Sequence, residues 1–226
     1  MPTLHIANKN YSSWSLRPWL LMTELGIPFD EAITPFDPGH DFHSFSPTGL
    51  VPCLVDGDIV VWESLAIVEY LAEEYPQVWP LDKVARSWAR SSASEMHAGF
   101  NALRNECPMC CGIRVRLHDF TPALQKDVDR INTLWEEGLE KFGGPYLAGD
   151  SVTAVDAFFA PVCFRIQSYG LELGHAAGNY KDRILNLPSM QDWYKAGLNE
   201  TWRDKPHDEE IKALGQITED LRSSQE

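Results

Sequence analysis

The first part of the chain, up to about Tyr75, alternates between the periods of strand and helix, and this alternation constrains the fold more than any other feature. Leu4-His5-Ile6-Ala7 reads as a short buried strand. A serine-rich turn follows, and the spacing predicts a helix from about Ser15 to Leu25, with Pro18 near its first turn and Gly26 at its stop. Ile27-Pro28-Phe29 through Ile33 suggests a second strand, after which Pro35, Pro38 and Gly39 mark a polar loop. Val51 to Val55, the turn Asp56-Gly57-Asp58, and Ile59 to Trp62 make a hairpin signal. A further helix is predicted from Ser64 to about Tyr75, because Val68, Leu71, Ala72 and Tyr75 share one face while Glu69, Glu73 and Glu74 turn away. The order is β-α-β, a loop, then β-β-α.

Beyond Tyr75 the character changes. Pro76 and Pro80 bracket a short linker, and strand patterns almost vanish after it. Leu124, Val128, Ile131, Trp135 and Phe142 follow helical spacing, as do Ile211, Leu214, Ile217 and Leu221. The fold class is therefore α/β plus all-α, with one domain expected over residues 1–78 and an all-helical one over 84–222. The last few residues are expected to fray.

Composition narrows the function classes. With 33 acidic against 19 basic residues the formal charge is −14, and such a surface repels phosphate backbones, so no nucleic-acid partner is expected. One local basic pocket would still admit an anionic ligand. No stretch approaches the roughly 20 apolar residues that span a bilayer, so no membrane partner is expected. The start, Met1 to Ile6, lacks a basic segment followed by an apolar core, and the five cysteines read as reduced thiols; the expected compartment is the cytoplasm.

Three short motifs carry chemistry. Tyr11-Ser12-Ser13-Trp14-Ser15 occupies the turn before the first helix, where unpaired backbone N–H groups and a partial positive charge suit an anion. A hydroxyl placed there can donate to a thiolate and favour its ionised form. The same serines also serve as helix caps, with Ser15 the obvious N-cap. The second motif is Gly49-Leu50-Val51-Pro52-Cys53-Leu54, in which a proline opening a strand suits a cis turn that frees the Val51 backbone to pair with an extended ligand; an edge-strand proline reads the same way. The third is Glu63-Ser64 at the start of the next helix. A carboxylate binds an ammonium, and a serine with free helix N–H groups receives a carboxylate, which together match the amino-acid end of a γ-glutamyl residue.

Taken together, these motifs resemble those of the glutathione transferase superfamily, and the resemblance extends over nearly the whole chain. Ser12-Ser13-Trp14-Ser15-Leu16-Arg17 is similar to the Ser-Ser-Cys-x-x-Arg stretch of the zeta class. Val51-Pro52 is similar to the cis-proline turn, and Glu63-Ser64-Leu65-Ala66-Ile67 to the Gln/Glu-Ser-x-Ala-Ile signature. Thr153-Ala154-Val155-Asp156 has the form of the capping box in the core helix of the second domain.

The resemblance implies an N-terminal thioredoxin-like domain, an all-helical C-terminal domain and glutathione as co-substrate, with no metal and no nucleotide. It puts Ser12 at the catalytic serine, with Ser13 or Ser15 as the fallback donor. Ser13, His40, Val51, Pro52, Glu63 and Ser64 would hold glutathione. Met96, Phe100 and Arg104, at near-helical spacing with Leu103 and Met109, would line the pocket of a small electrophilic co-substrate. Arg17, on the first helix near the turn, reads as a structural ion pair in preference to a residue that orients the site. A homodimer is implied as well. A zeta-like isomerase acting on maleylacetoacetate is the alternative, weakened because Trp14 replaces the zeta cysteine and Ser168 falls where that class has an arginine, with Arg165 one turn earlier. A non-catalytic glutathione-binding module is the remaining alternative. Cys107-Pro108-Met109-Cys110-Cys111 imitates a metal or redox motif, but no second Cys or His pair stands at zinc spacing, and it reads as free thiols at the pocket edge.

Overall fold

A computed structural model of the chain describes residues 1–37 and 39–223; Pro38 of the polar loop and the last three residues, expected to fray, lie outside them. The N-terminal part is a sheet with helices: β1 (Thr3–Ile6), α1 (Ser13–Glu24), β2 (Asp30–Ile33), β3 (Cys53–Asp56), β4 (Ile59–Trp62) and α2 (Ser64–Glu74). The strands lie in the order β2-β1-β3-β4, with β1 parallel to β2 and antiparallel to β3, and β3 antiparallel to β4. A β-α-β crossover followed by a hairpin makes this the thioredoxin-like arrangement. The hairpin turns at Gly57, whose φ of +60° is the left-handed conformation that glycine adopts without a Cβ clash.

The C-terminal domain is helical: α3 (Lys83–Ala98), α4 (Asn101–Glu106), α5 (Pro122–Phe142), α6 (Ala154–Tyr169), α7 (His175–Leu185), α8 (Pro188–Asn199) and α9 (Lys205–Leu214). It also holds a small antiparallel pair, β5 (Ile113–Leu117) with β6 (Gly215–Asp220). The helical spacing of Ile211 and Leu214 therefore ends with α9, and Ile217 stands on a strand opposite Val115, which corrects the reading that ran the helix on to Leu221. The last helix stops because Gly215 packs against the Arg116 carbonyl, where a Cβ would come within 2.6 Å of that oxygen.

Helix α6 is the axis of the domain. It is buried along almost its whole length, and α1 and α3 pack against it. Its start is the capping box read from the sequence. The fully buried Asp156 accepts from the backbone N–H of Thr153 at 2.9 Å and of Leu147 at 3.0 Å, and from the Tyr180 hydroxyl at 3.0 Å. A buried carboxylate is tolerated there because donors surround it. Among the described residues no helix is long and apolar enough to cross a membrane.

Candidate functional site

The turn between β1 and α1 is pinned from the helical domain. Glu200, at the end of α8, accepts from the backbone N–H of Lys9 at 2.5 Å and of Asn10 at 3.2 Å. Trp193 donates its indole N–H to the Lys9 carbonyl at 2.9 Å, and the Cys111 N–H donates to the Asn10 carbonyl at 3.1 Å. The Lys9 ammonium lies against the Trp19 and Trp193 rings and pairs with Glu31 at 2.8 Å. None of these tethers has a short sequence signature. Glu200 stands 191 residues from Lys9, and only the fold brings them together.

So fixed, the turn delivers Ser12 to the mouth of α1. The helix begins at Ser13, two residues before the expected start at Ser15, and Ser12 is its N-cap residue without a side-chain capping bond. Ser15 is thus inside the helix rather than its cap. Its Oγ accepts from the Ala7 N–H at 3.3 Å and from the Ser12 hydroxyl at 2.7 Å. The first intrahelical bond runs from the Leu16 N–H to the Ser12 carbonyl, and the Ser13 N–H is occupied by the Tyr11 carbonyl. The backbone N–H groups of Trp14 and Ser15 have no partner among the described residues. Two free donors beside a serine hydroxyl form an anion-binding corner.

Two cavities share Trp14 as a wall. One, of about 260 Å³, is lined by Trp14, Thr48, Leu50, Val51, Pro52 and Glu63. The Val51–Pro52 bond is cis, and β3 pairing starts only at Cys53, so Val51 stands outside the ladder. Glu63 has φ +70°, a conformation rare for a residue with a Cβ and the kind of backbone strain that fold contacts hold in place at ligand sites. Next to it the Ser64 hydroxyl is buried at the first position of α2 without a partner among the described residues. Of the other lining residues, Thr48 lies outside the motifs, and Leu50 and Trp14 lie within them without an assigned binding role. His40 is exposed in its loop and does not line this cavity.

The second cavity, of about 200 Å³, is lined on the sheet side by Tyr11, Ser12, Ser13 and Trp14, and on the helical side by Arg104, Arg165, Pro108, Met109, His207 and Glu210. Of the residues expected to form an electrophile pocket, Arg104 lines it. Met96 and Phe100 do not; both are core side chains. Their spacing fails because α3 ends at Ala98 and Phe100 takes φ +57°, which turns α4 out of register with α3. Arg165 was read only as a possible substitute for a missing arginine. The structure brings its Nη2 to 3.5 Å from the Ser13 hydroxyl, while Ser168 donates to the Cys110 carbonyl at 2.8 Å and faces the interior.

Arg17 is not the ion pair expected of it. Fully buried and without a hydrogen bond among the described residues, its guanidinium lies 4.2 Å from the Trp14 ring centre and 4.7 Å from that of Phe158. Arg104 approaches the Trp14 ring at 4.6 Å, and His97 meets its edge at 5.3 Å. Burial, then the neighbouring Arg17 charge, lowers the His97 pKa, with Glu63 acting against them. The cysteines are all unpaired and buried, and burial pushes the Cys107 and Cys110 thiols up to about 12, so this segment is a packing element rather than a reactive one.

These features belong to a recognisable class. Residues 11–74 match the N-terminal domain family of glutathione S-transferases and residues 116–196 match the C-terminal domain family. The chain belongs to the glutathione S-transferase family. It is 31% identical to glutathione S-transferase Z2 of Arabidopsis thaliana over 67% of this chain and 71% of that protein. It is 29% identical to glutathione S-transferase GstB of Escherichia coli K12, over 83% of this chain and 89% of the relative. A crystal structure of a glutathione transferase homologue from Burkholderia, with bound glutathione, superposes with a TM-score of 0.65 at 24% identity, covering 87% of this chain and 97% of that one.

Proposed function

We propose that the chain is an enzyme that binds glutathione across the Trp14–Pro52–Glu63 cavity and adds its thiolate to a small electrophilic carbon. The observation that carries this reading is the first turn of α1, where the free N–H groups of Trp14 and Ser15 stand beside the Ser12 hydroxyl. Such a corner lowers a thiol pKa from about 8.5 toward or below neutrality. Ser12 donates to the thiolate by turning its hydroxyl away from Ser15. Glu63 takes the α-ammonium of the γ-glutamyl group, Ser64 and the start of α2 take its carboxylate, and the Val51 backbone pairs with the peptide. The sulfur lone pair then forms the S–C bond as the leaving group departs with its electron pair. Ionisation and positioning supply most of the rate gain. No metal or nucleotide has a part in this scheme.

Titrating glutathione into the protein while following thiolate absorbance against pH tests the reading. A bound pKa at least one unit below that of free glutathione supports it, and an unshifted pKa overturns it. The relatives named for glutathione transfer and the glutathione bound in the Burkholderia homologue support the choice of thiol. Five unpaired cysteines suit a reducing compartment, the cytoplasm. The exposed apolar side chains of Ile59, Val60 and Trp62 on β4 support a homodimer; sedimentation showing a stable 25.6 kDa species at micromolar concentration would defeat it.

A further inference from the structure

The hydroxyl of Tyr11, the residue before Ser12, is held by a side chain 211 residues away. Arg222, two residues past β6, donates from Nη1 to the Tyr11 hydroxyl at 2.7 Å and to Asp208 Oδ1 at 2.8 Å. The Tyr11 hydroxyl in turn donates to the same Asp208 oxygen at 3.1 Å, which closes a triangle. The rest of the guanidinium fork is locked onto Asp220, with Nε at 2.9 Å and Nη2 at 2.7 Å. Hydrogen bonds between charged groups are about twice as strong as neutral ones. The Arg222 side chain is 6% exposed and Tyr11 3%, so water screens these bonds little. The backbone carries the arginine to this spot. β6 pairs with β5, the Leu221 N–H donates to the Gly112 carbonyl at 2.8 Å, and the Ser223 N–H donates to the Leu198 carbonyl at 2.7 Å. Gly112 lets the arginine stem pass, since a Cβ there would come within 2.5 Å of Arg222 Cγ. Burial holds the Tyr11 phenol well above its usual pKa, so it stays neutral. Its proton goes to Asp208 and a lone pair to Arg222, which leaves no proton for a thiolate. What Tyr11 contributes is place. It lines the second cavity beside Ser12 and Ser13, and its carbonyl holds the Ser13 N–H at 2.9 Å. Its own N–H and that of Ser12 are tied to the Asn8 carbonyl at 3.1 Å and 2.9 Å.

We propose that Arg222 is a positioning residue for the reaction: through the Tyr11 hydroxyl it fixes the turn that carries Ser12. The same clamp holds the wall that Tyr11 gives the second cavity. The catalytic part of this inference rests on the transferase reading; the clamp on the turn does not. None of Tyr11, Asp208 and Arg222 lines the first cavity, so the clamp acts at the sulfur and not on the rest of the tripeptide. Lys9 and Asn10 are held separately by Glu200, so losing the clamp loosens one end of the turn without unfolding it. A small displacement of Ser12 lengthens its hydrogen bond to the thiolate, and rates fall steeply with such misplacement.

Arg222→Met, Tyr11→Phe and the double variant test it. In glutathione-free protein, amide hydrogen exchange at Tyr11 and Ser12 should speed up about tenfold in each variant, with the amides of α5 unchanged. The pKa of bound glutathione should rise by about half a unit to one unit, and kcat should fall about tenfold. S-methylglutathione, which has no thiol to ionise, should bind within about twofold of its original affinity, a split that general destabilisation would not produce. The double variant is the sharpest measurement. Once Tyr11 has lost its hydroxyl, removing Arg222 should move neither the thiolate pKa nor kcat further, because the arginine acts through that hydroxyl. Arg222→Lys keeps a charge and a donor without the fork, and should recover part of the loss. Additive losses in the double variant, or a thiolate pKa unmoved in Tyr11→Phe, overturn the proposal. If Arg222→Met does not fold, Tyr11→Phe and Arg222→Lys decide, and exchange rates and thiolate pKa unmoved in both overturn it. If the unmodified protein binds no glutathione, the transferase reading and the catalytic role fall together, and the exchange rates still settle the clamp.

Discussion

The two walls of the proposed site would recognise ligands by different physics. The wall from the sheet domain offers directed groups of short reach: free N–H groups on the first turn of α1, the Ser12 hydroxyl, the Val51 backbone outside its ladder, and Ser64 at the start of α2. The N–H groups and the Val51 backbone are set in direction before a ligand arrives, while the two hydroxyls are set in position and turn to meet it. The wall from the helical domain offers long cationic side chains, Arg104 and Arg165, whose donors are shared with carbonyls and whose main asset is charge. Directed backbone groups suit one ligand of constant shape, such as a tripeptide. A cationic wall selects by charge and tolerates a change of carbon skeleton. One protein can thus keep its thiol partner fixed while its second substrate varies.

The largest effect that would break this comparison is at Ser12. Ser12→Ala removes the directed hydroxyl, and the rate should fall about 100- to 1,000-fold, the loss typical of one donor to a reacting anion. The pKa of bound glutathione should rise with it. Ser15→Ala makes the informative contrast. It takes away the acceptor that holds Ser12 and leaves the Ala7 N–H unpaired, so stability should fall by about 1 kcal/mol while the thiolate pKa stays close to its original value. Steady-state rates, ultraviolet titration and urea unfolding on the two variants separate the roles. If Ser15→Ala loses as much rate as Ser12→Ala, the hydroxyl pair acts through Ser15 and the Ser12 assignment is wrong.

The same contrast governs what could be read from the sequence. The sheet wall was legible because its groups come from local motifs: a serine turn opening a helix, a proline opening a strand, a Glu-Ser pair starting another helix. Local backbone chemistry repeats at fixed spacing, so residue order carries it. The helical wall was only partly legible. Arg104, expected at the pocket, lines the cavity, but Met96 and Phe100 were assigned to it on a periodicity that continues in sequence and stops in space, at Gly99 and Phe100. Arg165 reaches the site across 152 residues to Ser13, and Glu200 reaches the turn across a longer gap. Contacts of that range depend on how α6 and α8 pack. No window of sequence contains them. His40, which reads equally as a ligand of the glycine end or as a solvated loop histidine, is exposed and does not line the cavity.

The smallest effect, and the one that sharpens the comparison most, is at Glu63. Its carboxylate belongs to the sheet wall by position, yet it acts as the helical wall does, through charge on an exposed side chain. An ammonium held by Glu63 is remote from the sulfur, so the attraction is similar in the ground and transition states. Uniform binding of that kind changes KM far more than kcat. Glu63→Ala should therefore weaken glutathione binding by about 1–2 kcal/mol, between the values for an exposed ion pair and a buried charged hydrogen bond, and leave kcat within about threefold. Glu63→Gln keeps an acceptor oxygen and should lose less. The φ of +70° is a property of the backbone and persists in both variants, so circular dichroism and melting temperature should change little and any loss is assignable to the side chain. A sharp fall in kcat with KM for glutathione unmoved would show that Glu63 serves the chemical step, and the tripeptide would then have to be turned around in the cavity.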